Sequence, residues 1–141
     1  MIDIKQKLSE LSLTSENAIV IGSGILNALN IRESHDIDVI VDTETYNRLK
    51  QNPQFIVSQP LGLDVLQYDI YEIVTGWNMT DINKVYSFEE IFENSTVIDG
   101  VRYNSLEFLL TVKKIWVGGK NPREKDKKDI EIIENYLKSS K

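Results

Sequence analysis

The strongest restriction on the fold comes from two short β-branched runs. Residues 17–21 read NAIVI and residues 36–41 read DIDVIV. Between them lie Gly22-Ser23-Gly24 and an apolar segment, residues 25–31, with Ile25, Leu26, Ala28 and Leu29. β-Branched residues favour strands, glycines end them, and the segment between has the spacing of a buried helix. The predicted unit is strand, tight turn, helix, strand. Alternation along a strand puts residues i and i+2 on one face. Asp36 and Asp38 therefore share a face, while Ile37, Val39 and Val41 turn toward the core.

The flanking sequence extends this unit into a mixed α/β domain. Residues 4–13 carry Ile4, Leu8 and Leu11 at the spacing of a short amphipathic helix. Asp42 or Thr43 can cap a helix over residues 44–51, which Pro53 stops. Residues 55–77 are rich in strand formers: FIVSQ, a turn at Pro60-Leu61-Gly62, then DVLQYDIYEIVTGW, long enough for a bend or hairpin that the pattern does not locate. A short helix follows over residues 88–94. Residues 97–103 read as a hairpin, because Asp99-Gly100 supplies the positive φ angles of a primed turn. Ser105 caps a helix running to Val117, with Leu106, Leu109, Leu110 and Lys113 at helical spacing. Gly118-Gly119 ends it, and Pro122 precedes a last helix over residues 123–137. The expected organisation is a single domain, its core over residues 14–104 and a helical pair over residues 105–138.

Composition narrows the chemistry. The 141 residues include 22 acids and 16 bases, a net charge of -6, which argues against generic DNA binding by counterion release. Residues 113–128 differ: seven bases against two acids leave them at +5, so the remainder sums to -11. An acidic body with one basic stretch suggests a localised anion site. The absence of cysteine excludes disulfides and thiol catalysis. A histidine-rich metal site or a Ser-His-Asp triad would rest on His35 alone, which reads as a solvent-facing loop residue with substrate contact as the alternative. No apolar run exceeds four residues and no basic-then-apolar leader opens the chain. A cytoplasmic protein with no membrane partner is the expectation.

The acid pair and the small-residue turn carry the chemistry together. Two carboxylates on one strand face repel each other unless a cation sits between them, and hard oxygen donors select Mg²⁺ or Mn²⁺. At Gly22-Ser23-Gly24, small residues let backbone N–H groups approach a phosphate, with the Ser23 hydroxyl as an added donor. Exposed acids or a tight turn taken singly have plainer readings. Their combination is more specific.

The stretch GSGILNALNIRESHDIDVIVD resembles the signature of the nucleotidyltransferase superfamily that shares its fold with DNA polymerase β. The form Arg-X-Ser-X-Asp-Ile-Asp, from Arg32 to Asp38, is similar to small bacterial members, including those of toxin–antitoxin and abortive-infection systems. So is the tail, with Lys113 on one helix and Arg123-X-Lys125-Asp126-X-X-Asp129 on the next. The resemblance spans Asn17 to Leu137. It implies a nucleotidyltransferase fold and a Mg²⁺- or Mn²⁺-dependent transfer of a nucleoside monophosphate from a nucleoside triphosphate. The acceptor would be a hydroxyl of a small molecule, a protein or an RNA end. Asp36 and Asp38 would be catalytic metal ligands, and Gly22 and Ser23 would contact the β- and γ-phosphates. A third carboxylate is implied on a later strand: Glu72 is the first choice, with Asp69, Asp64 or no third acid as alternatives. Lys113 would either reach a phosphate or extend to water. Arg123, Lys125 and Asp129 read as an ion-pair set tying the last helix to the core, and Tyr68, Tyr71 and Trp77 as core or rim packing rather than a base-stacking platform. A second copy or a cognate antitoxin would be the protein partners. The alternatives are a catalytically inactive module of this fold that binds nucleotide or a partner protein, and a plain interaction protein.

Overall fold

A computed structural model describes residues 2–58 and 64–139. Local sequence rules account for most of its elements. Helix α1 (Ile4–Glu10) starts where Asp3 accepts a hydrogen bond from the Gln6 amide, and it stops short of residue 13 as Ser12 enters the left-handed region at φ 56°. Strand β1 (Ala18–Ile21) leads through Gly22, at φ +72°, into α2 (Gly24–Ala28). That helix is one turn shorter than its apolar run suggests, because Asn30 turns left-handed at φ 57° and the amides of Ile31 and Arg32 both fold back to the Leu26 carbonyl. Gly24 is dictated by packing. A Cβ there would collide with the Val20 side chain on β1.

Strand β2 (Ile37–Val41) follows, then α3 (Thr43–Lys50), capped by Asp42 through the Thr45 amide. The strand-rich region resolves into β3 (Ile56–Ser58), β4 (Val65–Tyr68), β5 (Tyr71–Val74) and β6 (Gly76–Met79). The turn expected at Pro60-Leu61-Gly62 lies outside the described residues. The unlocated hairpin turns at Asp69-Ile70, with Asp69 at φ 52°, and the chain leaves the main sheet at Thr75. Among the described residues, strand β6 pairs only with β7 (Lys84–Ser87), through a 3-10 turn at Thr80–Ile82. Sequence patterning did not anticipate this small separate sheet. Helix α4 (Phe88–Glu93) carries a reciprocal Ser87–Glu90 cap. The β8 (Ser95–Ile98) and β9 (Val101–Asn104) hairpin turns at Asp99 and Gly100, at φ 50° and 79°, as a primed turn requires. Ser105 then caps α5 (Leu106–Val117), and α6 (Glu124–Ser139) packs against it.

The seven-stranded sheet has the order β3-β4-β5-β2-β1-β9-β8. The β2/β5 and β1/β9 pairs are parallel and the others antiparallel, so this is a mixed α/β fold on a mixed sheet. One face buries Ile37, Val39 and Val41 among Ile25, Leu26, Leu109 and Ile133. The opposite face carries Ile19, Ile21 and Ile40, covered by Ile91 and by rings that include Trp77 and Phe108. The cover on that second face stops before the start of β2, and a cleft opens there. Among the described residues, no helix is long and apolar enough to cross a membrane.

Because α2 sits on β1 at glycine distance, Gly24→Ala should destabilise the protein by about 1–3 kcal/mol, the range for overpacking a filled site. Urea denaturation measures it. A parent-like midpoint would show that α2 can move off the strand freely.

Candidate functional site

The cleft has a volume of about 440 Å³, within the range of small-ligand sites. One wall is acidic. In the parallel β2/β5 pair, Asp38 and Glu72 are direct register partners, and Ile21 of β1 faces Asp38 from the other side. The Asp38 and Glu72 carboxyl groups face each other on one side of the sheet, close enough that each feels the other's charge. Burial pushes the Asp38 carboxyl up to about 6, and the negative charges of Glu72 and Asp36 add to the effect. Lys125, on the same cleft, offsets it only in part. Asp36 is exposed at the entry to β2, beside His35, and both line the cleft. Of the alternative acids, Asp69 sits in the β4/β5 turn and Asp64 just before β4, and neither borders the cleft. Glu72 is the acid that joins the aspartates.

This donor set fits a hard divalent cation. All its donors are carboxylate oxygens, gathered where a cation would relieve their mutual repulsion. Among the described residues no trio of acids or histidines closes around a single point. The Asp38–Glu72 pair would therefore hold the ion first, with Asp36 joining from the start of the strand.

The facing wall is a hydrogen-bonding turn held by cations. A Cβ at Gly22 would come only into ordinary van der Waals contact with Asp38 Oδ2, so its left-handed turn lies beside the acids without being crowded by them. Ser23 precedes α2 without capping it by its side chain. Its Oγ accepts instead from Arg32 Nη2 at 3.1 Å and from Lys113 Nζ at 3.4 Å. A serine hydroxyl has two acceptor positions and one proton, and neither arginine nor lysine can accept. With both acceptor positions taken, the Ser23 O–H has only the donor role left, and Ser23 lines the cleft.

Behind the turn lies a buried ion cluster. Lys113 is 2% exposed, with Nζ 2.8 Å from Asp126 Oδ1 and 2.9 Å from Asp129 Oδ2. Arg32 grips Asp129 with two bonds, Nε to Oδ1 at 2.8 Å and Nη2 to Oδ2 at 2.7 Å. Arg123 holds Asp126 through Nε and Nη2. Burial works against ionising both aspartates, but hydrogen bonds from Arg123 and Lys113 to Asp126, and from Arg32 and Lys113 to Asp129, hold them below the usual carboxylate range.

Two expectations change here. Lys113 neither extends to water nor offers a free ammonium to a phosphate. Its three protons go to two carboxylates and Ser23, so it supports the turn from behind. The expected set of Arg123, Lys125 and Asp129 is instead Lys113, Arg123, Asp126, Asp129 and Arg32, while Lys125 lines the cleft. Asp126 and Asp129 are three apart and so share a helix face, a pairing that the sequence reading left out. Tyr68 and Tyr71 stack on each other against the main core, as the packing reading expected. Trp77 both packs against Phe108 and lines the cleft.

The acid pair should leave a signature in stability. Asp38 binds its proton more tightly in the folded chain, at about 6, than at its ordinary value of 3.8. Its contribution is thus fully present below pH 3.8 and lost as pH rises through about 6 in the cation-free protein. Asp38→Asn should accordingly be more stable than the parent above pH 6, with the gap shrinking toward pH 4 in urea titrations. A gap independent of pH would refute the strained pair. Lys113→Met should cost about 3–5 kcal/mol in the same assay by leaving two buried carboxylates short of a partner.

Comparison of the chain with known protein families, with curated proteins and with solved structures finds no match, so the cleft's own residues carry its functional reading.

Proposed function

We propose that this chain is a nucleotidyltransferase of the DNA polymerase β-like kind, which moves a nucleoside monophosphate from a nucleoside triphosphate to a hydroxyl acceptor. The observation that carries the reading is the in-register Asp38–Glu72 carboxylate pair, with Asp36 beside it, meeting the Gly22-Ser23 turn in one cleft. A metal-polyphosphate complex needs both halves: oxygen ligands on one side, hydrogen-bond donors and positive charge on the other.

Each residue then has a defined task. Asp36, Asp38 and Glu72 would hold Mg²⁺ or Mn²⁺. When bound, the cation neutralises charge on the transferring phosphoryl group and lowers the pKa of the acceptor hydroxyl. Ser23 would donate its O–H to a β- or γ-phosphate oxygen, its other positions being occupied by Arg32 and Lys113. Gly22 lets the backbone come close to the same phosphates. Lys125, exposed at the cleft, would meet the negative charge that builds up during transfer. A P–O bond forms between the acceptor oxygen and the α-phosphorus, the α–β anhydride breaks, pyrophosphate leaves, and the hydroxyl proton passes to solvent.

Incubation with each α-labelled nucleoside triphosphate, Mg²⁺ and pools of small molecules, proteins and RNA should yield labelled acceptor. Asp36→Asn should abolish Mg²⁺-dependent nucleotide binding. Glu72→Gln should retain nucleotide binding while transfer falls on the order of 100-fold or more. Transfer undiminished in both variants would sink the proposal. Binding with no transfer in the parent would identify a nucleotide-binding module instead.

A further inference from the structure

The acids and the cradle occupy only part of the cleft. A further wall is formed by Trp77 and Asn78 of β6 and Trp116 of α5. The two indole rings meet edge to face, with centroids 5.9 Å apart and planes at 68°. Trp77 is braced from behind by Phe108, at 6.1 Å between centroids. Trp116 has Lys113 Nζ and Arg123 Cζ at 5.5 and 5.8 Å from its ring centre. Both tryptophans are half-buried, with surface remaining on the cleft. The rings thus make a stiff, partly exposed aromatic corner on the cleft.

We infer that this corner receives the nucleobase of the triphosphate, with the Asn78 side chain placed to read the base edge. The inference rests on the nucleotidyltransferase reading and extends it to the remaining part of the substrate. Three features favour a heteroaromatic ring over an aliphatic acceptor. Indole faces attract flat π-systems of any base. Asn78 offers a donor and an acceptor together, the combination that pairs with a heterocycle, and its amide makes no side-chain hydrogen bond among the described residues. The corner also shares its cleft with the phosphate cradle, linked to it through Lys113, which touches both Ser23 and the Trp116 ring.

The chain provides its own probe. Trp77 and Trp116 are its only two tryptophans, so intrinsic fluorescence reports on this wall alone. ATP, GTP, CTP, UTP, adenosine and inorganic tripolyphosphate, each with Mg²⁺, are titrated against the full chain while emission and calorimetric affinity are followed. Nucleoside triphosphates should quench or shift the emission and bind roughly tenfold to a hundredfold more tightly than tripolyphosphate. Trp116→Leu should bring the ratio of nucleoside triphosphate to tripolyphosphate affinity close to one, and Trp116→Phe, which keeps an aromatic face, should restore most of it. Circular dichroism and thermal melting of both variants separate lost stacking from lost folding. Nucleotide and tripolyphosphate binding equally, with unmoved emission, would overturn the base site and leave the phosphate cradle standing. No binding of either would overturn the underlying functional reading as well. Adenosine quenching without tripolyphosphate binding would support the corner and remove the cradle.

Discussion

A parallel strand register that sets two carboxylates side by side governs this protein. Neighbouring strands lie less than about 5 Å apart, so in-register residues on one face cannot avoid each other. On β2 and β5 those residues are Asp38 and Glu72, with Asp36 at the strand entry. The fold surrounds the pair with buried surface on the core side and leaves it open on the other. Desolvation and repulsion therefore add rather than cancel, and the Asp38 carboxyl is pushed up to about 6. Such an arrangement makes the protein less stable near neutral pH than one with an uncharged residue at position 38. Strain of this kind is characteristic of sites that wait for a ligand.

The opposite charge is organised by a different route. The basic stretch of the C-terminal region does not simply coat the surface. Lys113 and Arg123, with Arg32 from the loop after α2, enclose Asp126 and Asp129 beneath the Gly22-Ser23 turn. Three cations against two carboxylates leave an excess of positive charge on the cradle side of the cleft. Burying such a cluster brings little net stability, because desolvation of each ion offsets most of the attraction. Its geometric effect is larger. It ties α6 and α5 to the turn and leaves the Ser23 hydroxyl a single role, that of donor. The last helix thus acts on the site from behind, contributing Lys125 as its direct contact with the cleft.

Much of this was legible from residues alone. The acid-bearing strand, the tight turn at Gly22-Ser23-Gly24, the Ser105 cap and the Asp99-Gly100 turn each express a rule confined to a few neighbouring residues. The misses share a cause. Helices α1 and α2 stop early because Ser12 and Asn30 turn left-handed, which their apolar periodicity does not encode. The β6/β7 sheet escaped because Trp77 lies in a run of strand formers that gives no sign of leaving the main sheet at Thr75. Lys125 was grouped with Arg123 and Asp129 on helical spacing, which does not say which side of a helix faces a cleft.

The amino-acid sequence determined the local pieces: which segments are strands or helices, where they turn, and that Asp36 and Asp38 share a face. The family resemblance added the expectation of a third acid, with Glu72, Asp69 and Asp64 as the candidates. Tertiary structure decided which of them meets the aspartates, what Lys113 holds, and that Trp77 and Trp116 enclose one corner. Those outcomes depend on pairing between segments far apart in the chain. Periodicity and propensity describe a residue's own element, whereas register and packing are set only when the whole sheet closes around a shared core.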